Sequence, residues 1–408
     1  MRRGGPGALS ACLVAAALLA GCSGEPSSPE QPPPESAPTV ASEQQVERLL
    51  DRRARAILAD RRADFVATTV PGPDRRRQLV AFEALGELPV ARASYDITSV
   101  DEVSGRGVTR VSAQLLVRLE GFDPRPVPAS HVLELQHHEG GWRVLHDRTA
   151  PSQVVAAPWT LDGARVRTGE GVIVVLDRRS ADQGDRLLRL AAAAREATES
   201  YVPYPRRQGV VLLAPSTTET LRDDGFGSDT IDRLGGVARE VEDRRGDVVA
   251  DRVVLVPAML RQPDDVLLTL IRHEFAHVAI GQRDRRMPLW IVEGLAEWAS
   301  WRGDPSFSIA TSAVRAAESA EGITRMPSDV DFRDEGAGRA YGVAWFAMRW
   351  LETFHDPRAP YTLLDRVAAE KAFRDREVSR LLESEYGVTT DELARESGEL
   401  IADTFEAS

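Results

Sequence analysis

Two histidines four residues apart constrain the fold of this chain more than any other feature. His273 and His277 lie in the segment Arg272-His-Glu-Phe-Ala-His-Val278, which continues an apolar pattern of helical spacing. Residues i and i+4 lie on one face of an α-helix, one turn apart. A helix here therefore places both imidazoles where they can share a single metal ion, at Zn–N distances of about 2.0–2.1 Å.

The ends of this helix are also marked in the sequence. Asp264 and Asp265 suit its first turn, because aspartates favour the positive end of the helix dipole, and Gly281 is a suitable stop. Between these ends, Glu274 is rotated by about 100° from His273, so its carboxylate reaches beside the metal rather than onto it. We therefore expect Glu274 to be the general base that takes a proton from a metal-activated water, whose pKa falls to about 7.

A catalytic zinc site commonly uses three protein ligands and one water, so this HExxH pattern needs a third ligand. The downstream segment Pro288–Trp298 carries Glu293 and Glu297, again four residues apart, among Trp, Leu, Ile, Val and Ala. Carboxylates buried in such a helix need a partner, and a metal supplies one. Two solvent-facing glutamates on an amphipathic helix have the same spacing, but they do not explain why both pairs lie so close in the chain.

The motif HEFAH followed by PLWIVEGLAEW resembles the gluzincin metallopeptidases, especially the peptidase MA-like group with its W-x-x-E-G-x-A signature. The resemblance implies a Zn²⁺ cofactor, a peptide or protein substrate, and Glu293 as the third metal ligand. It also implies that Glu297 orients a ligand histidine from behind the metal. Fifteen residues separate His277 from Glu293, fewer than in several gluzincins, so Glu297 is the alternative ligand.

Two further parts of a peptidase site have candidates in the sequence. Gluzincins usually hold the substrate as a strand added to a sheet edge, and Gly235–Val241 is a candidate edge strand or, equally, a loop. Charge that develops on the scissile oxygen needs a donor, for which Tyr341 is the first candidate and Arg339 the second. Tyr341 fits core packing equally well. The G-x-M-x-N motif of the exopeptidase branch is absent from the sequence, which favours an endopeptidase.

The sequence predicts an α+β fold with two domains. Residues 43–155 begin with a helical pattern over Gln44–Val66 and continue with β-branched, partly alternating segments, the last of which contains Trp142. This helix followed by a curved antiparallel sheet resembles the nuclear-transport-factor-two-like family. Residues 156–408 carry strands first and helices afterwards. For these residues the gluzincin resemblance implies a mixed sheet with the active-site helix, followed by a mostly helical C-terminal part.

The first domain also contains four of the seven histidines of the chain. No ligand-type spacing joins them, and two adjacent histidines on a strand point to opposite faces of the sheet. We therefore assign this domain no chemistry. The four histidines are His131, His137, His138 and His146.

The N-terminus is typical of a targeting segment. Residues 1–21 combine two arginines with an apolar run, and Leu19-Ala-Gly-Cys22 resembles the lipobox of bacterial lipoproteins. The resemblance implies signal-peptide cleavage, acylation of Cys22 and anchoring to the extracytoplasmic face of the cell membrane. An ordinary signal peptide with a chance cysteine is the alternative. Residues 22–42, rich in proline, serine and glutamate, are expected to form a disordered tether.

The charge balance excludes one class of partner. The chain has 51 basic and 63 acidic residues, a net charge of −12, which argues against nucleic-acid binding. The function we expect is therefore a lipid-anchored zinc metallopeptidase that hydrolyses peptide bonds. A non-cleaving binding or assembly lipoprotein on a gluzincin-like scaffold is the alternative, and hydrolysis of another kind of bond also stays open.

Overall fold

A computed structural model describes residues 40–103, 107–149, 153–204, 208–302, 322–334 and 337–406. The signal peptide, the lipidation site at Cys22 and most of the predicted tether lie outside the described residues. Residues 39–408 form one compact unit. In the described part of the chain, no helix is both long enough and apolar enough to cross a membrane.

Helices and strands follow one another in three blocks. The first block contains α1 (Glu43–Leu58), α2 (Arg62–Ala67), α3 (Pro73–Gly86), β1 (Val90–Val103), β2 (Val108–Leu119), β3 (Val127–His138) and β4 (Gly141–Thr149). The second contains β5 (Arg165–Gly169), β6 (Val172–Leu176), α4 (Gly184–Tyr201), β7 (Val210–Ala214), α5 (Glu219–Asp223), α6 (Ser228–Ile231), β8 (Gly236–Glu242), β9 (Val248–Leu255) and α7 (Asp264–Ile280). The third contains α8 (Leu289–Trp301), α9 (Ala337–Phe354), α10 (Ala359–Glu370), α11 (Asp375–Tyr386) and α12 (Thr390–Glu406).

The first block is an antiparallel meander of four strands, in the order β1-β2-β3-β4, with helices packed against it. A capping box between Ser42 and Gln45 starts α1, whose apolar stripe includes the buried Val46 and Leu50. Register shifts interrupt the pairing of β1 with β2 and of β3 with β4, and such irregularities bend a sheet. The predicted helix-plus-sheet arrangement is therefore present.

The first helix is shorter than the pattern over Gln44–Val66 predicts. It ends at Leu58, and a separate helix begins at Arg62. Asp60 adopts a left-handed conformation with φ of 47°, and the Arg61 N–H donates to the carbonyl of Ala56. This ending satisfies carbonyls that would otherwise lack partners at the C-terminus of α1. Helical spacing of apolar residues continues across the break, so the pattern could not locate it.

The second block is a mixed sheet in the order β5-β6-β7-β9-β8. Strands β6, β7 and β9 are parallel, whereas β5 and β8 pair antiparallel at the two edges. All residues of β6 and β7 are buried, as expected for parallel strands that are covered on both faces. The candidate edge strand at Gly235–Val241 is thus confirmed as a strand, β8, at the edge of this sheet.

The two sheets share one hydrophobic core. Its members come from both sides of the predicted domain boundary near residue 155 and include Phe82, Leu115, Val175 and Leu213. Ion pairs join the first block to the β8–β9 hairpin, and one of them, between Asp123 and Arg252, is fully buried. The predicted boundary therefore runs through a packed interface.

The third block is helical, as predicted. Helices α8 and α9 contribute the two largest shares of an apolar cluster that also takes in residues of α10, α11 and α12. Gly294 of α8 allows the closest contact, because a Cβ atom at this position would lie 2.6 Å from the carbonyl oxygen of Ala344 in α9. The absence of a side chain at Gly294 thus sets how closely these two helices pack.

Candidate metal centre

Helix α7 has the limits that the sequence predicts. Asp264 and Asp265 lie in its first turn, and Gly281, with φ of 58°, ends it. One face buries Leu267, Ile271 and Phe275 against the mixed sheet. The sheet thereby fixes the rotation of α7 about its axis, and this rotation turns the histidine pair towards α8. Local periodicity forms the helix, and burial of its apolar face orients it.

Three side chains meet between α7 and α8. The Nε2 atoms of His273 and His277 are 3.1 Å apart, and Glu293 Oε2 lies 3.3 Å from the first and 3.5 Å from the second. Ligand atoms about 2.0–2.1 Å from a tetrahedral zinc ion are separated from one another by about 3.3 Å. The two imidazoles and the carboxylate therefore fit a single zinc ion in donor type and spacing. Elsewhere in the described ranges, no group of three histidine, cysteine, aspartate or glutamate residues meets in this way.

Burial and neighbouring charges shift the pKa values of these three side chains in opposite directions. Burial opposes ionisation of Glu293, but His277 and His273 hold its pKa well below the ordinary value. Burial likewise lowers the pKa of His273 and His277, yet the neighbouring carboxylates raise both above the ordinary value. Two histidines and a carboxylate so close together in an enclosed space suit a divalent cation, which neutralises the acid and binds the imidazole lone pairs.

Glu297 lies one turn beyond Glu293 and takes a different position. Its Oε2 atom is 3.2 Å from Nδ1 of His273, on the side of the ring away from the other donor atoms. Its Oε1 atom accepts a hydrogen bond of 3.2 Å from the Trp301 indole. This geometry matches an orienting role, because a carboxylate on one ring nitrogen fixes the tautomer in which the other nitrogen can bind a metal.

Glu274 is buried beside the three donor atoms, with 4% of its surface exposed. Burial raises its pKa above the ordinary value, although the two histidines and a hydrogen bond from the Ala238 backbone N–H oppose this shift. A Cβ atom at Gly236 would lie 3.1 Å from Glu274 Oε1, so strand β8 passes directly over the carboxylate. No sequence motif indicated that a backbone amide of β8 holds Glu274.

A cavity of about 270 Å³ opens at this group. It is bounded by β8 on one side and by α7, α8 and Tyr341 of α9 on the others. The Tyr341 hydroxyl donates a hydrogen bond to Glu293, and its ring centroid lies 6.1 Å from that of His273. Tyr341 therefore belongs to the site, while its ring also contacts Phe332. Arg339, the second candidate donor, is not among the described residues that line the cavity.

The different positions of the two glutamates lead to a prediction about metal content. We expect Glu293→Ala to lose most of its zinc, because it removes a carboxylate that faces both Nε2 atoms. Glu297→Ala should weaken zinc binding by about 10- to 100-fold, the usual cost of losing an orienting partner. Metal analysis after dialysis against graded zinc concentrations measures both effects. Equal zinc affinities in the two variants would contradict this choice of third ligand.

No protein-family model matches this chain, and no curated protein matches its sequence at a significant level.

Proposed function

We propose that this protein is a zinc metallopeptidase of the gluzincin type, with His273, His277 and Glu293 as the metal ligands. One observation carries the proposal: three donor atoms lie 3.1–3.5 Å from one another, and the buried carboxylate of a further residue, Glu274, lines the same cavity. A purely structural metal site needs no extra buried carboxylate beside it. The chemistry expected of this arrangement is hydrolysis.

A bound zinc ion supplies Lewis acidity, which makes a water molecule acidic and polarises a carbonyl oxygen. The residues of the chain transfer the proton and stabilise the developing charge. Glu274, held by the Ala238 amide, accepts a proton from the attacking water and passes it to the leaving amine. The Tyr341 hydroxyl, which donates to Glu293, would turn this proton to the oxygen on which charge develops.

The edge strand β8 is the proposed docking place for substrate. It pairs with β9 on one side only among the described strands, and Gly236, Val237 and Ala238 line the cavity. An extended peptide added to a free strand edge satisfies backbone donors and acceptors regardless of its side chains. This mode of binding favours an internal segment of a peptide or protein, and we propose an endopeptidase.

We further propose that the protein is anchored to the extracytoplasmic face of the cell membrane through acylated Cys22. The lipobox-like segment and the proline-rich stretch after it support this part of the proposal. The tether would then let the folded unit reach substrates away from the lipid surface.

Zinc analysis combined with a cleavage assay tests the proposal. A chain that begins at Ser23 keeps every described element, because residues 39–408 form one compact unit. We expect one zinc per chain and cleavage within peptides of a mixed library. A chelator should abolish cleavage, and stoichiometric zinc should restore it. Bound zinc without cleavage of any library peptide or of casein would instead indicate the non-cleaving, binding or assembly lipoprotein.

Tyr341 gives a separate prediction. Tyr341→Phe should lower kcat by roughly 100-fold, the usual cost of losing one donor to the developing oxyanion, while KM and zinc content stay close to those of the parent. The phenylalanine ring preserves the contact with Phe332, so folding is retained. Steady-state kinetics on one cleaved peptide measure the effect. A variant with unchanged kcat would place Tyr341 in the core alone.

A further inference from the structure

A second and larger cavity lies between the first block and the segment that leads into the mixed sheet, away from the candidate metal centre. Its volume is about 1110 Å³, slightly above the usual range for small-molecule sites. Helices α1 and α3, the sheet and the turn around Trp159 enclose it, and much of its wall is apolar. The apolar wall includes Ile57, Phe65, Phe82, Leu85, Leu115 and Trp159.

A chain of buried polar groups is set into this apolar wall. Arg53 Nε donates to the Tyr95 hydroxyl (3.1 Å), and Arg53 Nη2 contacts Asp147 Oδ2 (2.7 Å). Asp147 Oδ1 in turn lies 2.6 Å from Nδ1 of His131. Although burial opposes it, His131 and Arg53 hold the pKa of Asp147 well below its ordinary value, so this group is a carboxylate. A carboxylate only accepts hydrogen bonds, so the proton between these two residues belongs to Nδ1 of His131.

Two buried polar atoms of residues that line the cavity lack a hydrogen-bond partner. His131 is 94% buried, with 6% of its surface exposed, and its Nε2 atom has no partner among the described residues. Gln78 is 5% exposed; its Nε2 atom donates to the carbonyl of Leu145, and its Oε1 atom is likewise without a partner. Buried polar atoms are normally satisfied, so both atoms need a hydrogen-bond partner that the described residues do not supply.

The mouth of the cavity is basic, in contrast to the acidic protein around it. Five arginines and two aspartates line the cavity, a formal charge of +3, whereas the whole chain carries −12. Arg76 and Arg148 are exposed at the lining and form no ion pair with any described residue. Unpaired guanidinium groups beside an apolar cavity are suited to a carboxylate or another small anionic group.

We propose that this cavity binds a small amphipathic acid. Its apolar body contacts the aromatic and aliphatic wall, a hydroxyl group pairs with His131 Nε2 and Gln78 Oε1, and its acidic group contacts the arginines at the mouth. The first block is then a ligand-binding module. The proposal does not depend on the metal centre or on any peptidase activity.

Three probes of equal length test the parts of this ligand separately by calorimetry on the chain that begins at Ser23. The probes are 10-hydroxydecanoate, decanoate and decane-1,10-diol. We expect 10-hydroxydecanoate to bind at one site per chain, about fivefold more tightly than either of the others, because each of those lacks one polar group. No saturable binding of any probe would overturn the proposal and indicate a cavity filled by water only.

Charge reversal at the mouth gives the second arm of the test. The double variant Arg76→Glu/Arg148→Glu should weaken binding of both acids at least about tenfold and leave the diol unchanged. Arg48→Glu/Arg52→Glu makes the same change of charge at exposed positions of α1 outside the cavity, and it should bind the acids nearly as the parent does. Equal losses of affinity for the acids in both double variants would show that the arginines at the mouth do not bind the acidic group.

A third variant blocks the cavity itself. Ala81 lines it at a partly buried position of α3, so Ala81→Trp fills space without removing a polar group. All three probes should then lose binding, while the circular dichroism spectrum stays as in the parent. Binding that survives Ala81→Trp would place the ligand elsewhere on the protein and overturn the proposal.

Discussion

Glu274→Gln is expected to keep its zinc and to lose at least about 10³-fold in kcat. The amide has nearly the shape of the carboxylate and can still accept a hydrogen bond from the Ala238 N–H, so the position of the side chain is preserved. It cannot take a proton from water, however, and no other described carboxylate of the cavity is so deeply buried beside the two histidines. The loss should therefore fall on kcat rather than on KM or on metal content.

The measurement combines steady-state kinetics on a cleaved peptide with metal analysis of the same sample. Glu196→Gln, an exposed position on α4, makes the same chemical change away from the site and should leave both quantities unchanged. If Glu274→Gln cleaved casein at the parental rate, Glu274 could not be the general base. Loss of zinc together with activity would instead give Glu274 a part in holding the metal.

The second large effect concerns stability, at the buried ion pair between the first block and the mixed sheet. Arg252 and Asp123 are each 1% exposed, and Arg252 Nη1 lies 2.8 Å from Asp123 Oδ1. Arg252→Met leaves the Asp123 carboxylate buried without its cation. We expect the free energy of unfolding to fall by about 3–5 kcal/mol, as is usual when one partner of a buried pair is removed.

Denaturant unfolding measures this loss of stability, and two further variants show whether it comes from the buried charge. Asp123→Asn together with Arg252→Met should recover much of the stability, because the buried charge is gone and the amide oxygen can still accept from the Leu119 N–H. Arg125→Met breaks an exposed pair with Asp247 at the same interface and should cost at most about 1 kcal/mol. An Arg252→Met variant as stable as Arg125→Met would show that burial does not increase the contribution of this ion pair to the free energy of unfolding.

Several candidate site residues were predictable because their spacing along the sequence determines their relative position on a helix. The spacing of His273 and His277 fixes their common face wherever that segment is helical, and the structure does contain the helix, from Asp264 to Ile280. The same reasoning paired Glu293 with Glu297 on one helix. Short-range geometry of this kind needs only helical backbone angles, so no knowledge of the remaining chain was required.

The choice between alternatives was not local. Glu293 and Glu297 lie on the same face of one helix, so their spacing does not show which of them binds a metal. The packing of α8 against α7 and α9 directs Glu293 to the Nε2 atoms and Glu297 to Nδ1 of His273. Tyr341 suited a core or a site equally, and the packing of α9 brings its hydroxyl to Glu293. The candidate strand before β9 became an edge strand through its position in the sheet order.

The sequence by itself determined the α+β character, the helix that carries the histidine pair and the types of donor available to a metal, because each follows from periodicity or spacing over a few residues. Tertiary structure alone decided that the two sheets share a core, that Asp123 meets Arg252, and that Arg53, Asp147 and His131 line a cavity. These contacts join residues dozens of positions or more apart. They depend on which faces become buried together, and no local pattern encodes that outcome.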